Sequence, residues 1–119
     1  MDPRFAEYRA GAEARWRALR SQETERARRA RRSLPAIVEI AGRHGATRVV
    51  LFGSLARGTF GLDSDIDLAV EGPCDAPAVE REASAQTGFD VQVVERASAP
   101  LLLRRRIDEH GEVLLERAG

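Results

Sequence analysis

The sequence predicts an α/β domain in which helices pack on a small mixed β-sheet, preceded by a long helix at the N-terminus. Three observations support this fold class. Residues 3–33 are rich in Ala, Arg and Glu, which favour helix. After Gly45, short β-branched and apolar segments alternate with helical ones. With 119 residues, the chain is long enough for one such domain with a modest core.

The N-terminal third is predicted to be a mostly polar helix with one thin apolar stripe. The stripe has mixed three- and four-residue spacing and consists of Phe5, Tyr8, Ala12, Trp16, Leu19, Ala27, Ala30 and Leu34. A helix of this kind is marginal alone and needs a surface to dock on. The segment Ser33-Leu34-Pro35 predicts a break, because the residue before a proline resists helix. We therefore divide the chain into an Arg-rich helical arm, residues 1–33, and a domain, residues 34–119.

The domain is predicted to contain four strands and four helices in a fixed order. A helix from Pro35 to His44 ends at Gly45 in a left-handed cap. Then follow a buried strand at Thr47–Phe52, a turn and short helix at Gly53–Gly58, a strand at Asp65–Glu71, a helix at Ala78–Thr87, a strand at Phe89–Glu95, a helix at Ala99–His110 and a last strand at Glu112–Glu116.

The charges cancel overall but are unevenly distributed. Residues 1–33 carry ten Arg and five acidic residues, whereas residues 34–119 carry nine Arg and fourteen acidic residues. No aromatic residue lies among the arginines of residues 20–33, which argues against nucleic-acid binding by the arm. The single cysteine excludes an internal disulfide, and no apolar run is long enough to span a membrane. These features predict a cytoplasmic protein with no membrane contact.

Three aspartates are the strongest candidates for metal ligands. Asp65 and Asp67 lie two residues apart in a predicted strand, so both carboxylates point to one face while Ile66 and Leu68 point into the core. Two carboxylates that close repel each other unless a cation lies between them. Mg²⁺ prefers oxygen ligands and commonly uses one or two carboxylates plus substrate phosphates. Asp90 begins another strand of the same type and can complete a three-acid cluster if the two strands are neighbours.

The segment Gly53-Ser54-Leu55-Ala56-Arg57-Gly58 is predicted to bind phosphate. It follows a buried strand and opens a short helix, where free backbone N–H groups, a glycine and the Ser54 hydroxyl can surround phosphate oxygens. Arg57 adds a permanent positive charge in a fork-shaped group. A phosphate site ten residues before a paired-carboxylate strand is what metal-assisted nucleotidyl transfer requires.

These motifs resemble the DNA polymerase beta-like nucleotidyltransferase superfamily. Gly-Ser-Leu-Ala-Arg-Gly followed by Ser-Asp-Ile-Asp-Leu is similar to its minimal nucleotidyltransferase (MNT) group, and the resemblance covers about residues 35–117. It implies the nucleotidyltransferase fold, ATP as substrate and two Mg²⁺ ions. It also implies that Gly53 and Ser54 hold the triphosphate, with Arg57 near the phosphates. Asp65 and Asp67 would bind both metals, and Asp90 would bind the catalytic metal and help to deprotonate the acceptor.

The resemblance also implies a partner, since the chain has no evident acceptor domain. Members of this group often pair with a small helical HEPN-type protein as antitoxin and toxin, and the implied reaction is adenylylation of a hydroxyl, such as that of a tyrosine, on the partner. The arm is not part of the minimal domain. We expect it to dock on a second chain, either another copy or the partner.

Other interpretations of the same residues stay open at this point. A catalytically silent protein that neutralises its partner by direct contact is the alternative function. Ser54 could simply cap the short helix, Arg57 could be solvated, and Asp90 could be an ordinary acid at a strand start. Arg104–Arg106 are interpreted as a solvated helix face with acceptor contact left open, and His110 as a helix-end residue.

Overall fold

The computed structural model describes residues 2–118 and shows four α-helices with a four-stranded mixed sheet, which confirms the predicted fold class. None of the helices within these residues is both long and apolar enough to cross a membrane. The elements in chain order are α1 (Pro3–Arg43), β1 (Arg48–Phe52), α2 (Gly53–Arg57), β2 (Ile66–Glu71), α3 (Ala76–Thr87), β3 (Val91–Glu95), a 3₁₀ turn (Arg96–Ser98), α4 (Leu101–His110) and β4 (Glu112–Glu116).

The sheet has the strand order β3-β2-β1-β4, so β1 and β2 are its central strands. β1 is antiparallel to both of its neighbours, whereas β2 and β3 are parallel. Two parallel neighbours need a crossover, and α3 supplies it. The end of β1 therefore lies beside the start of β2, and the start of β2 lies beside the start of β3.

The two faces of the sheet are covered by different helices. On one face, α1 and α3 pack against alternate residues of the central strands, including Val49, Leu51, Ile66 and Leu68, all of which are buried. On the other face, the smaller helix α4 packs Ile107 in a cluster with Val50 and Ala69. Because side chains alternate along a strand, Asp67 belongs to the α4 face, opposite to Ile66 and Leu68.

The predicted break at Ser33-Leu34-Pro35 is wrong, because α1 is one continuous helix of 41 residues that contains Pro35. Proline removes one backbone hydrogen bond and costs about 3 kcal/mol inside a helix. Leu34, Ile37 and Ile40 are almost completely buried against the sheet, and each contributes roughly 1.5–3 kcal/mol. Burial on both sides of Pro35 therefore outweighs its local preference. The proposed boundary between residues 33 and 34 lies within this helix.

The second half of the arm docks on its own domain, contrary to the expectation that the arm docks on a second chain. Arg26 Nη1 donates to the carbonyl oxygens of Gly61 (2.8 Å) and Ser64 (2.9 Å), and its guanidinium lies over the rings of Phe60 and Phe89. Farther along, Arg31 pairs with Glu112 at 2.6 Å. The first half of the arm is different, since Phe5, Tyr8 and Trp16 are 56%, 71% and 62% exposed.

Candidate functional site

The candidate site lies where the end of β1 meets the starts of β2 and β3. Phe52, the last residue of β1, is in register with Asp67 of β2. Ile66 is in register with Val91, and the Ile66 N–H donates to the carbonyl oxygen of Asp90 at 2.9 Å. Asp65 and Asp90 therefore lie just before two paired residues on neighbouring strands. Both strands begin one or two residues later than predicted, so these two aspartates are at the strand ends rather than inside them.

Asp65 and Asp67 form a repelling pair of carboxylates. Both side chains are partly buried. Removal of Asp67 from water raises its pKa above the ordinary value, the negative charge of Asp65 raises it further, and only the positive charge of Arg57 lowers it. Additional positive charge beside the pair would favour the ionised form of Asp67. A divalent cation with oxygen preference is the group that such a site favours.

The raised pKa of Asp67 predicts a pH-dependent effect of the Asp67→Asn substitution on stability. The folded state binds the Asp67 proton more tightly than the unfolded state, so ionised Asp67 destabilises the wild type at neutral pH. Without divalent metal, Asp67→Asn should melt at a higher temperature than the wild type at pH 7. This gain should disappear below about pH 4, where the aspartate is protonated in both states. Thermal melts of both proteins over this pH range would show it, and a gain that is independent of pH would contradict it.

Gly53 brings the backbone of the β1–α2 turn into contact with Asp67. Its φ is 76°, in the left-handed region that L side chains rarely adopt. A Cβ at this position would overlap Oδ2 of Asp67 and lie 3.1 Å from its Cγ. Only glycine therefore fits between β1 and the carboxylate. From the sequence, Gly53 is predicted to lie against a phosphate. Within the chain itself, the group that Gly53 approaches is the carboxylate of Asp67, a predicted metal ligand.

A cavity of about 470 Å³ brings the predicted groups together on the α4 side of the sheet. It contains Gly53, Ser54, Arg57 and Asp67 of the predicted site, and it is lined by Phe52, Gly53, Ser54, Arg57, Asp67, Leu103, Arg106 and His110. Asp65 and Asp90 are not among the residues that line it. Asp65 is close enough to affect the pKa of Asp67, and Asp90 is exposed on the adjoining strand.

Arg106 and His110 are the cavity residues that sequence reasoning missed. From the sequence, Arg106 is interpreted as part of a solvated helix face and His110 as a helix-end residue. Together with Leu103 they lie three and four positions apart, so they share one face of α4. That spacing was visible in the sequence, but it does not show where α4 docks. The docking follows from burial of Ile107 against Val50 and Ala69, which is a tertiary contact.

The residues present fit a divalent metal at Asp65 and Asp67. Within residues 2–118, no three Asp, Glu, His or Cys side chains are arranged to hold a metal ion together. Mg²⁺ does not require a full protein cage, because it retains water and binds substrate phosphates beside one or two carboxylates. Asp90 as a third ligand stays a prediction. Its exposed side chain and its place directly before the Ile66–Val91 pair are compatible with that role.

The remaining predicted residues have their side chains at the cavity. The short helix α2 has no side-chain cap within the described residues, and its N-cap position is Phe52, so the alternative role of Ser54 as a cap is wrong. Ser54 lines the cavity instead. Arg57 is exposed, and its charge acts on Asp67. A basic group and a hydroxyl group therefore share one cavity with the Asp67 carboxylate.

A larger cavity of about 830 Å³ lies elsewhere, between the arm and residues 58–60. It is lined by Arg20, Glu23, Thr24, Ala27, Arg28, Arg31, Arg32, Leu55, Gly58, Thr59 and Phe60. Glu23 is its single acidic residue, so it has no pair of carboxylates for a metal. The candidate site is therefore the smaller cavity that contains Asp67, because the size of a cavity alone does not define a catalytic site.

Comparison with known families identifies the family of this domain. Residues 34–114 match the family described as "Nucleotidyltransferase domain". No curated protein matches the sequence significantly.

Solved structures with the same fold are also similar to this chain. One, described as a minimal nucleotidyltransferase, is 33% identical with a TM-score of 0.57, and the match covers 76% of this chain and 92% of that chain. A toxin–antitoxin with AMP-PNP is 26% identical with a TM-score of 0.61, covering 67% and 70% of the two chains. A tri-AMPylated HEPN toxin in complex with an MNT antitoxin, from Shewanella oneidensis, is 22% identical with a TM-score of 0.58, covering 72% and 71%, and shows the fold alone.

Proposed function

We propose, because this chain belongs to the nucleotidyltransferase domain family and to its minimal nucleotidyltransferase group, that it is a magnesium-dependent adenylyltransferase. It transfers AMP from ATP to a hydroxyl group of a separate helical partner of the HEPN type, as an antitoxin acting on its toxin. The observation that carries this proposal is the packing of Gly53 against the carboxylate of Asp67 in a cavity that also holds Ser54 and Arg57.

The predicted residues have complementary roles in the proposed reaction. Asp65 and Asp67 would hold two Mg²⁺ ions, and Asp90 would bind the catalytic one. Gly53, Ser54 and Arg57 orient the triphosphate of ATP. When bound, Mg²⁺ neutralises phosphate charge and favours ionisation of the attacking hydroxyl. The hydroxyl oxygen forms a bond to the α-phosphorus, Asp90 helps to remove the hydroxyl proton, and pyrophosphate leaves.

The choice of ATP and of a protein acceptor rests on the family and on one neighbour. The 26% identical structure is a toxin–antitoxin with AMP-PNP, an ATP analogue. The exposed mouth of the cavity, with Arg57, Arg106 and His110 at its surface, leaves room for an acceptor carried by another molecule. A tyrosine of the partner is the acceptor that the family resemblance implies.

Two measurements test the proposal. Calorimetry with AMP-PNP should detect binding that requires Mg²⁺. Incubation of the chain and a HEPN-type partner with Mg²⁺ and ATP labelled at the α-phosphate should place label on the partner, which mass spectrometry can localise. If the partner binds tightly but no label is transferred and no Mg²⁺-dependent nucleotide binding occurs, the chain is the catalytically silent binding module instead.

Arg106 is expected to contribute to nucleotide binding, since it lines the same cavity as Ser54 and Arg57. A charge-assisted hydrogen bond to phosphate is worth about 1.5–3 kcal/mol, so Arg106→Gln should weaken ATP binding about tenfold or more. The matched control is Arg105→Gln, an exposed arginine on the same helix that is not among the cavity residues. Equal affinities of the two variants in Mg²⁺-containing calorimetry would remove Arg106 from the site.

A further inference from the structure

The exposed half of the arm carries an apolar stripe that the nucleotidyltransferase domain does not use. This arm stripe consists of Phe5, Tyr8, Ala12, Trp16 and Leu19. An α-helix turns by about 100° per residue, so these positions lie within roughly 80° of each other on one face. Phe5, Tyr8 and Trp16 are more than half exposed, and a small cavity is formed among Tyr8, Ala12, Arg15, Trp16 and Leu19. Such a face on a soluble protein indicates an interaction surface.

The spacing of the arm stripe is symmetric. Its steps are three, four, four and three residues, so the stripe reads the same in both directions from Ala12. Two such helices placed antiparallel with Ala12 facing Ala12 bring Phe5 of one against Leu19 of the other, and Tyr8 against Trp16. Self-complementarity of this kind is the property of an interface between two identical chains related by a two-fold axis. An interface with a different protein would not require a self-complementary stripe.

The centre of the arm stripe permits close contact between the helices. Ala12 is the smallest residue of the arm stripe and lies at the position where the two-fold axis would pass. Helices pack at 8–10 Å between axes, and small side chains at the contact favour the closer distances. The large side chains lie on both sides of this centre, where they can interdigitate. Six aromatic rings would be covered in the pair, giving an interface on the order of 1,000 Å².

The charges beside the arm stripe also match an antiparallel pair. One flank carries Arg9, Glu13 and Arg20, and Arg9 already lies 3.6 Å from Glu13 in its own chain. In the antiparallel arrangement Arg9 of one copy lies beside Glu13 of the other. A parallel pair would instead place this flank against the opposite one, which carries Arg4 and Arg15. Complementary charges contribute orientation more than affinity.

The arm stripe also continues into the contact that the arm makes with its own domain. Ala27, Ala30 and Leu34 extend it along α1, and Ala30 and Leu34 are buried in the core. In the antiparallel pair, the N-terminal end of one arm reaches the level of Arg20 and Glu23 of the other. These two residues are the first in the chain that line the large cavity between the arm and residues 58–60. The surface available to a second arm is therefore continuous with an interface that already exists.

We infer that residues 3–22 of the arm form an antiparallel helix pair with the same residues of a second copy of this chain. The two nucleotidyltransferase domains then lie at opposite ends of the paired helices. Each candidate active site faces solvent independently, and the dimer can present two sites to partner molecules. This inference does not depend on the proposed function, because it concerns residues outside the catalytic cavity.

The test is sedimentation of the full chain over a range of concentrations. We expect a reversible monomer–dimer equilibrium, with a Kd in the micromolar range for an interface of this size. Ala12→Arg should weaken dimerisation by at least tenfold, since it places a charge at the centre of the arm stripe. The matched control, Ala14→Arg, changes an exposed alanine on the opposite face and should leave the equilibrium unchanged. Circular dichroism of both variants checks that the helix is retained.

Disulfide cross-linking tests the orientation. A mixture of Arg9→Cys and Glu13→Cys chains should form a cross-linked heterodimer on mild oxidation, whereas Arg9→Cys alone should cross-link poorly. The inference is overturned if the full chain stays monomeric up to about 100 µM, well above the expected Kd. It is also overturned if the Ala12→Arg and Ala14→Arg variants dimerise with equal affinity. A further contradicting outcome is that the arm stripe is shielded from solvent only when a different protein is bound.

Discussion

Asp67→Asn is expected to abolish nucleotide transfer while the fold remains intact. Asp67 is the one predicted metal ligand that lines the cavity, and its charge is already repelled by Asp65. Loss of a metal-binding carboxylate removes several kcal/mol of transition-state stabilisation, so the transfer rate should fall by about 1,000-fold, equivalent to roughly 4 kcal/mol. The measurement is transfer of labelled AMP to the partner in the presence of Mg²⁺, together with circular dichroism.

The matched control for this prediction is Asp63→Asn. Asp63 is an exposed carboxylate two residues before Asp65, in the turn that the Gly61 N–H closes on the Ser64 hydroxyl. This variant should transfer AMP at the wild-type rate. Near wild-type transfer by purified Asp67→Asn would show that the chemistry does not pass through this carboxylate, and the site would have to be placed elsewhere.

Gly53→Ala is expected to have the second large effect, because it acts on the nucleotide and on Asp67 together. The added methyl would overlap the Asp67 carboxylate, and the left-handed φ of 76° strains any L side chain. ATP affinity should fall at least tenfold, about 1.4 kcal/mol, and the transfer rate should fall further as Asp67 is displaced. A single added methyl already meets the carboxylate, so a larger side chain is not needed for this test.

Gly58→Ala separates backbone strain from the clash. Gly58 also has a left-handed φ, of 79°, but an added Cβ there meets nothing within 4 Å. Both variants should lose about 1–2 kcal/mol of stability from the strained backbone, measurable by denaturant unfolding. Only Gly53→Ala should lose ATP binding. If both variants bind ATP like the wild type, Gly53 serves the turn alone and not the site.

Local pattern was sufficient to predict the site-bearing part of the fold. The alternation of Asp65, Ile66, Asp67 and Leu68 decides which side chains enter the core, and Ile66 and Leu68 are indeed buried. The glycine after a buried strand predicts a tight approach, and Gly53 makes one. These features depend on neighbours along the chain, so the sequence contains them directly. The roles of the individual site residues remain predictions.

The features that could not be predicted depend on contacts between distant segments. The helix passes through Pro35 because Leu34 and Ile37 are buried against the sheet, and no local rule contains that gain. Arg26 docks the arm through carbonyl groups of residues 61 and 64, which lie far along the chain. Arg106 and His110 line the cavity because α4 packs on β1, so their position beside the predicted site is visible only in three dimensions.

The strand order has a consequence for how the protein is made. β4 is the last element of the domain to be synthesised, yet it pairs with the central strand β1, which is synthesised first among the strands. Until β4 arrives, β1 has an open edge of unpaired backbone groups beside the apolar side chains of Val49 and Val50. Such an edge is a template for pairing between chains. A fragment that stops before residue 112 would therefore retain every predicted catalytic aspartate and still be prone to aggregation.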